Sequence, residues 1–466
     1  MEKAVKSERR GLFGKNVDML SGKLPLSIIV YVIPIILSHM LQTMYNAADK
    51  IVLSNFSGEA AIAAVGASSP VIGLIVNALI VMATGVNILV SRYIGANDEV
   101  NTKSTVTTAF YFSFMISAVV VVMSHFLAEP ILLATNCPET IIDKAVTYIR
   151  LYGLGIPATM LYNFLMPVLR ANGDSKRPLM FLAVSGATNV VLNIILVLVT
   201  PLDVEAVAIA TVISQYISVA LLITRLRKLP GASRLRPRAI DEFSGKLVGK
   251  IIRYGLPAAI SSAAYSLGNL QIQSAINEFG DYAIAANTAA HDIEAIFLFS
   301  ITSSLSVTAA TFIGRNLGAK KRERVFDVIK WMYIVGFVMV ATFGVIICIF
   351  AEPILSLYIP DTTSMAMEFA KTSNYIRMGL GFIFSFVQVS VGILNAYGYT
   401  TYGMVNSLLF TVGLRVLWIR CIYPMSKTAA MIYFCYPVSW LLTLIGALTM
   451  VIMILVRYKR GVEFKL

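Results

Sequence analysis

The chain has 466 residues, of which 57% are hydrophobic and 14% are charged, with a formal net charge of +13 and a mean hydropathy of +0.77. Soluble globular chains carry about 25% charged residues, so this composition excludes an ordinary soluble domain. The positive charge does not indicate a nucleic-acid partner, because Lys and Arg avoid the apolar stretches and gather in particular connecting segments, as they do in membrane proteins.

Apolar stretches long enough to cross a membrane recur along almost the whole chain. The membrane interior has no water to hydrogen-bond the main chain, so stretches of about 20 apolar residues form helices there. The sequence therefore predicts an all-α polytopic membrane protein with about twelve transmembrane helices. In chain order the predicted spans are 25–52, 61–92, 104–127, 140–167, 177–199, 204–226, 247–276, 283–313, 325–350, 366–395, 402–422 and 428–456.

The distribution of basic residues predicts the orientation in the membrane. Lys and Arg are concentrated at the N-terminus, in the loops after even-numbered spans and in the C-terminal tail, and the segment Arg225–Arg253 alone holds nine. The loops on the other side are short and lean acidic. Because basic loops stay on the cytoplasmic side, we expect a cell-membrane protein with both termini in the cytoplasm. The basic leader runs into a full-length span, so no cleavable signal peptide is expected.

Short motifs in the first half return in the same order in the second half. This register indicates two homologous six-helix lobes in the same orientation, with the substrate path between them. The predicted divisions are a leader at 1–24, lobes at 25–226 and 247–456, a basic linker at 227–246 and a tail at 457–466. The matching pairs are Pro34 with Pro257, Gly58–Ala64 with Gly280–Ala286, Ile94–Ala96 with Leu317–Ala319, Ala128–Leu132 with Ala351–Leu355, Tyr148–Arg150 with Tyr375–Arg377, and Leu169–Gly173 with Leu394–Gly398.

Polar side chains line single faces of several predicted spans. Isolated polar residues are explained by hydrogen bonds between helices, whereas whole stripes on consecutive helices favour a hydrated path in each lobe. The stripes are Ser38, Gln42, Tyr45 and Asp49; Ser185, Asn189 and Asn193; Thr211, Ser214, Gln215 and Ser218; Ser262, Ser266, Asn269, Gln273 and Asn277; and Asn287, His291 and Glu294. The side chains predicted to line the substrate cavity are Gln42, Tyr45, Asn46, Tyr265, Asn269, Gln273, His291, Glu294 and Gln388.

Asp49 is the first candidate for coupling transport to an ion gradient. Burial disfavours its charged form, so it can take up a proton on one side of the membrane and release it on the other. Alternatively it binds Na⁺, with oxygens from Asn189, Asn193 and Thr211 completing the shell. A plain ion pair with Lys50 is the structural alternative, but adjacent helical residues point about 100° apart.

Glu294 and Asp292 form the second candidate pair. Their structural alternative is an ion pair with Arg377 or Arg415. The His and Cys residues show no metal-ligand spacing, and the chain has no phosphate-binding glycine motif, so neither a metal cofactor nor direct ATP drive is expected.

The ordered motifs resemble those of the multidrug and toxic compound extrusion (MATE) family, and the resemblance covers about residues 20–455. It is similar to the prokaryotic DinF-like branch of that family. The motifs that carry the resemblance are Tyr45–Asp49, Gly58–Gly66, Ser91–Ala96, Leu169–Pro178, Asn189–Asn193, Ala206–Thr211, Gly255–Pro257, Ile284–Asn287 and Gly314–Ala319.

The resemblance implies a MATE fold and export of cationic or amphipathic drugs, driven by H⁺ or Na⁺. It implies a cation site in the N-terminal lobe at Asp49, Asn189 and Thr211, with Asn163 as a fourth-helix member. The branch usually has Asp where this chain has Asn193. The acidic residues of the other prokaryotic branch fall near Tyr265 and Ser385, so that second site is not reproduced.

Other functions fit the sequence less well. A flippase for lipid-linked oligosaccharides or lipid II needs several basic residues in the cavity, and the first half offers only Lys50 and Arg150 near or within its spans. A membrane-embedded enzyme needs a clustered acidic or His/Asp site that the chain lacks. We therefore expect a non-enzymatic, monomeric transporter whose partners are drug-like molecules and membrane lipids, without nucleic acid and without a cofactor besides the coupling ion.

Overall fold

The computed structural model describes residues 16–56, 59–135, 137–200 and 202–462, and the side chains at 46–51, 53–56, 59, 71 and 74 lie outside that description. The described chain consists of helices joined by loops and turns, with no strand. Three parts of the sequence predictions therefore lie outside the described residues. They are the basic leader up to Lys15, Gly58 of the repeat, and the side chains of Asn46, Asp49 and Lys50.

Six helical segments, α1–α6, form the N-terminal lobe. Two of them are broken: α2 at Ala83 and α4 at 154–155. A short helix, Ala128–Ala134, joins α3 to α4. The bounds are Leu24–Phe56 for α1, Glu59–Met82 and Thr84–Gly95 for α2, Glu99–Phe126 for α3, Glu139–Gly153 and Ile156–Ala171 for α4, Lys176–Val199 for α5 and Val204–Arg227 for α6.

Six further segments, α7–α12, form the C-terminal lobe. α8 contains a π-helical stretch, α10 bends by 46°, and α11 contains two π-helical stretches. The bounds are Gly245–Asn277 for α7, Asp281–Glu294, Ala295–Phe299 and Ser300–Gly318 for α8, Arg322–Ile349 for α9, Met365–Gly379 and Gly381–Ala396 for α10, Thr400–Ser407, Leu408–Gly413, Leu414–Leu417 and Trp418–Ile422 for α11, and Ala429–Lys459 for α12.

Nine of these helices, within the described residues, are long and apolar enough to cross a membrane, and the bent α10 makes a tenth. The predicted spans at 140–167 and 247–276 do not qualify by that measure, although both are helical. The first half of α4 carries Asp143, Lys144 and Arg150, and α7 carries the long polar stripe at 262–277. These charged and polar side chains lower the hydropathy of both helices.

The internal repeat reappears in the helix bounds. The second part of α4, Ile156–Ala171, corresponds to the second part of α10, Gly381–Ala396, with both bounds shifted by 225 residues (156 to 381 and 171 to 396). The same shift relates the start of α6 to the start of α12 (204 to 429). Positions in α6 and α12 can therefore be compared directly.

The two lobes touch backbone to backbone at one end of the bundle, where α1 and α7 begin and α6 and α12 end; we call it the basic end. A Cβ on Gly95 would overlap the carbonyl of Arg315, and a Cβ on Gly318 would overlap the carbonyl of Arg92. The contact is reciprocal, as expected for two halves related by a two-fold axis. Only glycine permits such a close approach.

Hydrogen bonds between the lobes, within the described residues, lie in the same half of the bundle. Asn87 accepts a hydrogen bond from Thr311 at 3.2 Å. The hydrogen bond furthest from the basic end joins Ser304 to His39, near the middle of α1, at 3.2 Å. The segment before α1 adds a strap, because Arg324 donates to the carbonyls of Met19 and Ser21. The lobes are therefore fastened together in the basic half.

Candidate functional site

Three of the predicted coupling residues meet in the N-terminal lobe. Asn189 of α5 donates its amide to the Thr211 hydroxyl of α6 at 3.2 Å, and Asn193 donates to Asn189 Oδ1 at 3.4 Å. Asn189 is 4% exposed and Asn193 is 0% exposed. The two Asn residues are one helical turn apart, so their amides lie on the same face of α5, against α6. The result is a cluster of neutral side-chain oxygens in which both Asn residues are buried and Thr211 is half-buried.

α1 packs beside this group through a ring and a glycine. The Tyr45 hydroxyl donates to the Leu182 carbonyl of α5 at 3.1 Å, and a Cβ on Gly186 would overlap the Tyr45 ring. Asp49 lies one helical turn after Tyr45, and Asn189 lies one turn after Gly186, so the two helices run alongside each other in that region. The Asp49 and Asn46 side chains lie outside the described residues. Gln42 is half-buried on the same helix.

Asn163 is buried, but its contact is local. Its amide donates to the Thr159 carbonyl of its own helix at 2.8 Å. The structure thus brings Asn189, Asn193 and Thr211 together and shows no hydrogen bond from Asn163 to any of them within the described chain.

The C-terminal lobe holds a buried ion pair. Glu294 of α8 pairs with Arg377 of α10, and each side chain is 1% exposed. Arg377 also donates to the Ser373 hydroxyl at 2.5 Å. His291, half-exposed one turn earlier on α8, lies 3.5 Å from the same carboxylate oxygen. The other oxygen, Glu294 Oε1, has no hydrogen-bond partner among the described residues. Of the open sequence alternatives, the ion pair with Arg377 is the one observed.

A second buried guanidinium lies nearby on α11. Arg415 is 0% exposed and donates to Asn269 Oδ1 of α7 at 2.6 Å. Its charge lies 4.5 Å from the ring centres of both Tyr265 and Tyr436, so two aromatic faces enclose it. Negative ring faces stabilise such a cation, more strongly when water is excluded.

The remaining predicted cavity residues form a polar network or stand apart. Asn287 donates to Gln273 Oε1 at 3.1 Å and accepts from the Tyr433 hydroxyl at 3.1 Å. Gln388 of α10 is half-buried, and no contact joins it to this network in the described chain. Asp292 is also half-buried and lies apart from the Glu294 pair.

The aromatic stripe of α12 was not predicted from the sequence. Tyr433, Tyr436 and Trp440 recur every three or four residues on one helical face, and the rings of Tyr433 and Tyr436 lie over Arg377 at 5.1 and 5.3 Å. An aromatic stripe opposite two intramembrane Arg residues is a readable signal for a cation enclosure. Within the described chain, no group of three or more His, Cys, Asp or Glu side chains is arranged to hold a metal ion.

Comparison with known proteins decides the family. The family model described as MatE matches residues 34–199 and 257–418, one segment in each lobe. The chain belongs to this family, the MATE family. The MATE chain is 27% identical over 405 residues to "Probable multidrug resistance protein YoeA" of Bacillus subtilis, covering 84% of this chain and 85% of that protein. It is 25% identical over 329 residues to "FAD transporter" of Shewanella oneidensis, covering 68% and 70%.

Solved structures confirm the predicted fold. A structure described as the outward-facing conformation of a multidrug resistance MATE family transporter of the MOP superfamily superposes with a TM-score of 0.86 at 19% identity, covering 96% of this chain and 99% of that one. A MOP superfamily transporter from Pyrococcus furiosus superposes with a TM-score of 0.83 at 19% identity, over 96% and 99%. The MATE chain is thus a polytopic membrane protein of this fold; its assignment to the DinF-like branch stays a prediction.

Proposed function

We propose that this MATE protein is a cation-coupled antiporter that exports cationic or amphipathic organic molecules by alternating access. The observation that carries the proposal is the pair of buried amides of Asn189 and Asn193, with the half-buried hydroxyl of Thr211, beside the outer part of α1. Neutral oxygens in a buried site suit Na⁺ directly, and they also stabilise a carboxylic acid that gains and loses a proton.

In this mechanism Asp49 is the charge that the gradient acts on. With Asp49 ionised, the lobe contains a carboxylate without a bound cation, which favours loading from the side where the cation is concentrated. Loading by H⁺ or Na⁺ neutralises the site and changes the packing of α1 against α5. Since α1 also contacts the other lobe through His39 and Ser304, at 3.2 Å, a change in α1 reaches the interface between the lobes.

The proposed orientation follows the charge distribution. The basic end lies at the cytoplasmic side of the cell membrane, with both termini inside. Because the lobes are fastened in the basic half, this arrangement corresponds to a cleft closed inside and open outside. We propose a monomer surrounded by lipid that needs no cofactor besides the coupling ion, performs no enzymatic reaction and binds no nucleic acid.

The substrate class is proposed from the family and the cavity together. Relatives are described as multidrug resistance proteins, which supports export of varied organic molecules. The half-buried Tyr265 and Gln273 provide ring faces and amides, groups that tolerate different shapes. A lipid-linked oligosaccharide flippase is the disfavoured alternative, because the similar proteins are described as multidrug resistance proteins and an FAD transporter.

The test replaces Asp49 with Asn in inside-out vesicles that accumulate a cationic dye against an imposed gradient. Asp49→Asn keeps the shape and removes the titratable charge, so we expect gradient-driven dye transport to fall at least tenfold. Asp143→Asn, an exposed carboxylate on α4, is the matched control and should transport normally. Replacing NaCl by choline chloride at fixed pH separates Na⁺ coupling from H⁺ coupling.

Two results would overturn the proposal. Normal dye transport by Asp49→Asn would remove the carboxylate from the mechanism. Transport that persists equally after both the Na⁺ and the H⁺ gradients are collapsed would remove the antiport itself.

A further inference from the structure

The interior of the C-terminal lobe carries more positive than negative charge. Arg377 and Arg415 are 1% and 0% exposed. Among the described residues, Glu294 is the buried carboxylate beside them. Glu294 makes its ion pair with Arg377. Among the described residues no carboxylate lies within ion-pair distance of Arg415, so this guanidinium forms no ion pair there.

A charged side chain at bilayer depth is costly, and in transporters such residues face a substrate path. Arg415 is partly compensated by the Asn269 amide oxygen at 2.6 Å and by the two tyrosine faces at 4.5 Å. Its Nε atom is buried without a hydrogen-bond partner in the described chain. A guanidinium presents its donors as a planar fork, and here a single neutral amide oxygen fills only part of that fork.

The backbone around Arg415 is also irregular. π-helical stretches at Leu408–Gly413 and Trp418–Ile422 flank it on both sides, and a third stretch begins directly after Glu294. Single-turn π-helical segments inside α-helices occur frequently at functional sites. Two of the three charged residues of this region therefore adjoin such segments.

The position corresponds to the coupling site proposed for the other lobe. The shift of 225 residues between the starts of α6 and α12 takes Thr211 to Tyr436, which covers Arg415. In the N-terminal lobe the equivalent place holds the amides of Asn189 and Asn193. At corresponding depth, the N-terminal lobe therefore holds neutral oxygens and the C-terminal lobe holds a guanidinium.

An aromatic surface leads from Arg415 towards the side chains that are partly open. Tyr265 is half-buried and meets Phe299 edge to face at 5.9 Å, and the half-exposed His291 meets Phe299 at 6.4 Å. Asn269 is half-buried on the same helix as Tyr265. A planar ring can therefore contact Phe299 and Tyr265 while an acidic group on that ring points to Arg415.

We propose that Arg415, with Asn269 and the rings of Tyr265 and Tyr436, forms a subsite for the acidic group of an aromatic organic anion. The carboxylate or phosphate of the ligand replaces Asn269 Oδ1 as the acceptor and occupies the rest of the guanidinium fork. An anion adds a direct charge attraction and can accept two parallel hydrogen bonds from the guanidinium, whereas the neutral amide oxygen accepts one, and this gives the anion its advantage over the amide. The inference relies on the proposed function only for the cleft through which ligands enter.

The experiment measures equilibrium binding to purified protein in detergent, without any ion gradient. Three probes share one ring system: anthracene carrying a carboxylate, a carboxamide or an aminomethyl group. We expect the wild type to bind the carboxylate at least about tenfold more tightly than the carboxamide, as for one hydrogen bond to a buried charge. Arg415→Gln should remove that preference by weakening the carboxylate probe far more than the carboxamide probe.

Two further variants make the result independent of any folding defect in Arg415→Gln. Asn269→Asp places a carboxylate of the protein on Arg415, satisfies the guanidinium and should block the carboxylate probe selectively. Arg420→Gln removes an exposed charge from the same helix and should bind all three probes like the wild type. Melting temperatures of all variants verify that they are folded.

Equal wild-type affinity for the carboxylate and the carboxamide would overturn the subsite, and so would full carboxylate binding by Asn269→Asp. Because no gradient is present, these results do not depend on Asp49 or on antiport. A protein that binds the anion but fails the dye assay would keep the subsite and lose the proposed coupling.

Discussion

Replacing Glu294 with Gln isolates the energetics of the buried ion pair. After Glu294→Gln, the charge of Arg377 remains in the lobe interior at 1% exposure, with the Ser373 hydroxyl and the rings of Tyr433 and Tyr436 as its compensation. Removing one partner of a buried pair costs about 3–5 kcal/mol, whereas replacing both partners by apolar side chains is often neutral. The double variant Glu294→Gln/Arg377→Met should therefore be more stable than Glu294→Gln alone.

Thermal unfolding of the purified variants in detergent measures this difference. In a chain of this size one kcal/mol corresponds to roughly 1–2 °C, so we expect Glu294→Gln to lower Tm by roughly 3–10 °C. Glu352→Gln is the matched control, because Glu352 pairs with Lys371 on the exposed surface of the same lobe, and its Tm should barely change. A Glu294→Gln protein as stable as the wild type, or a double variant no more stable than the single one, would refute the reasoning.

Two glycine substitutions test the contacts that position the helices. A Cβ on Gly85 would overlap the carbonyl of Ile251 in the other lobe, so Gly85→Ala should separate the basic ends, seen as a longer spin-label distance between the lobes, while Gly66→Ala, with nothing within 4 Å, should not; equal distances in both would contradict the packing. A Cβ on Gly186 would overlap the Tyr45 ring, so Gly186→Ala should lower Tm as overpacking of about 1–3 kcal/mol. In a Tyr45→Ala background, where the ring is absent, the same substitution should lower Tm much less. An unchanged Tm for Gly186→Ala in the wild-type background would contradict that contact.

Much of the fold was predictable from the sequence because the forces involved are local. The length of each apolar stretch identifies the spans, and the repeated motifs indicate two similar lobes. The helix bounds do repeat, with a shift of 225 residues between α4 and α10 (156 to 381). The breaks were not predicted. The bend of 46° in α10 and the π-helical stretches of α8 and α11 depend on packing against neighbouring helices, which a single span's composition does not contain.

The site was predictable only in part, for a similar reason. Helical periodicity correctly placed Asn189 and Asn193 on one face, but it could not say that Thr211 of the next helix would accept the hydrogen bond. For Glu294 it left two arginine partners open, since choosing between Arg377 and Arg415 requires the positions of α10 and α11. Periodicity describes one helix at a time, whereas the hydrogen-bond and ion-pair partners of these side chains lie on neighbouring helices.

The symmetry of the two halves bears directly on how such a protein can couple two ligands. Where the lobes meet, the contacts are reciprocal: Gly95 lies against Arg315, and Gly318 lies against Arg92. These reciprocal backbone contacts favour neither lobe, so in the proposed mechanism a rocking motion about them is driven by chemical differences inside the lobes. The differences are chemical, with buried amide oxygens at Asn189 and Asn193 in one lobe and the guanidinium of Arg415 at the corresponding depth in the other. Under the two proposals, ligands of opposite charge load different lobes, and the reciprocal glycine contacts let each of them bias the same motion.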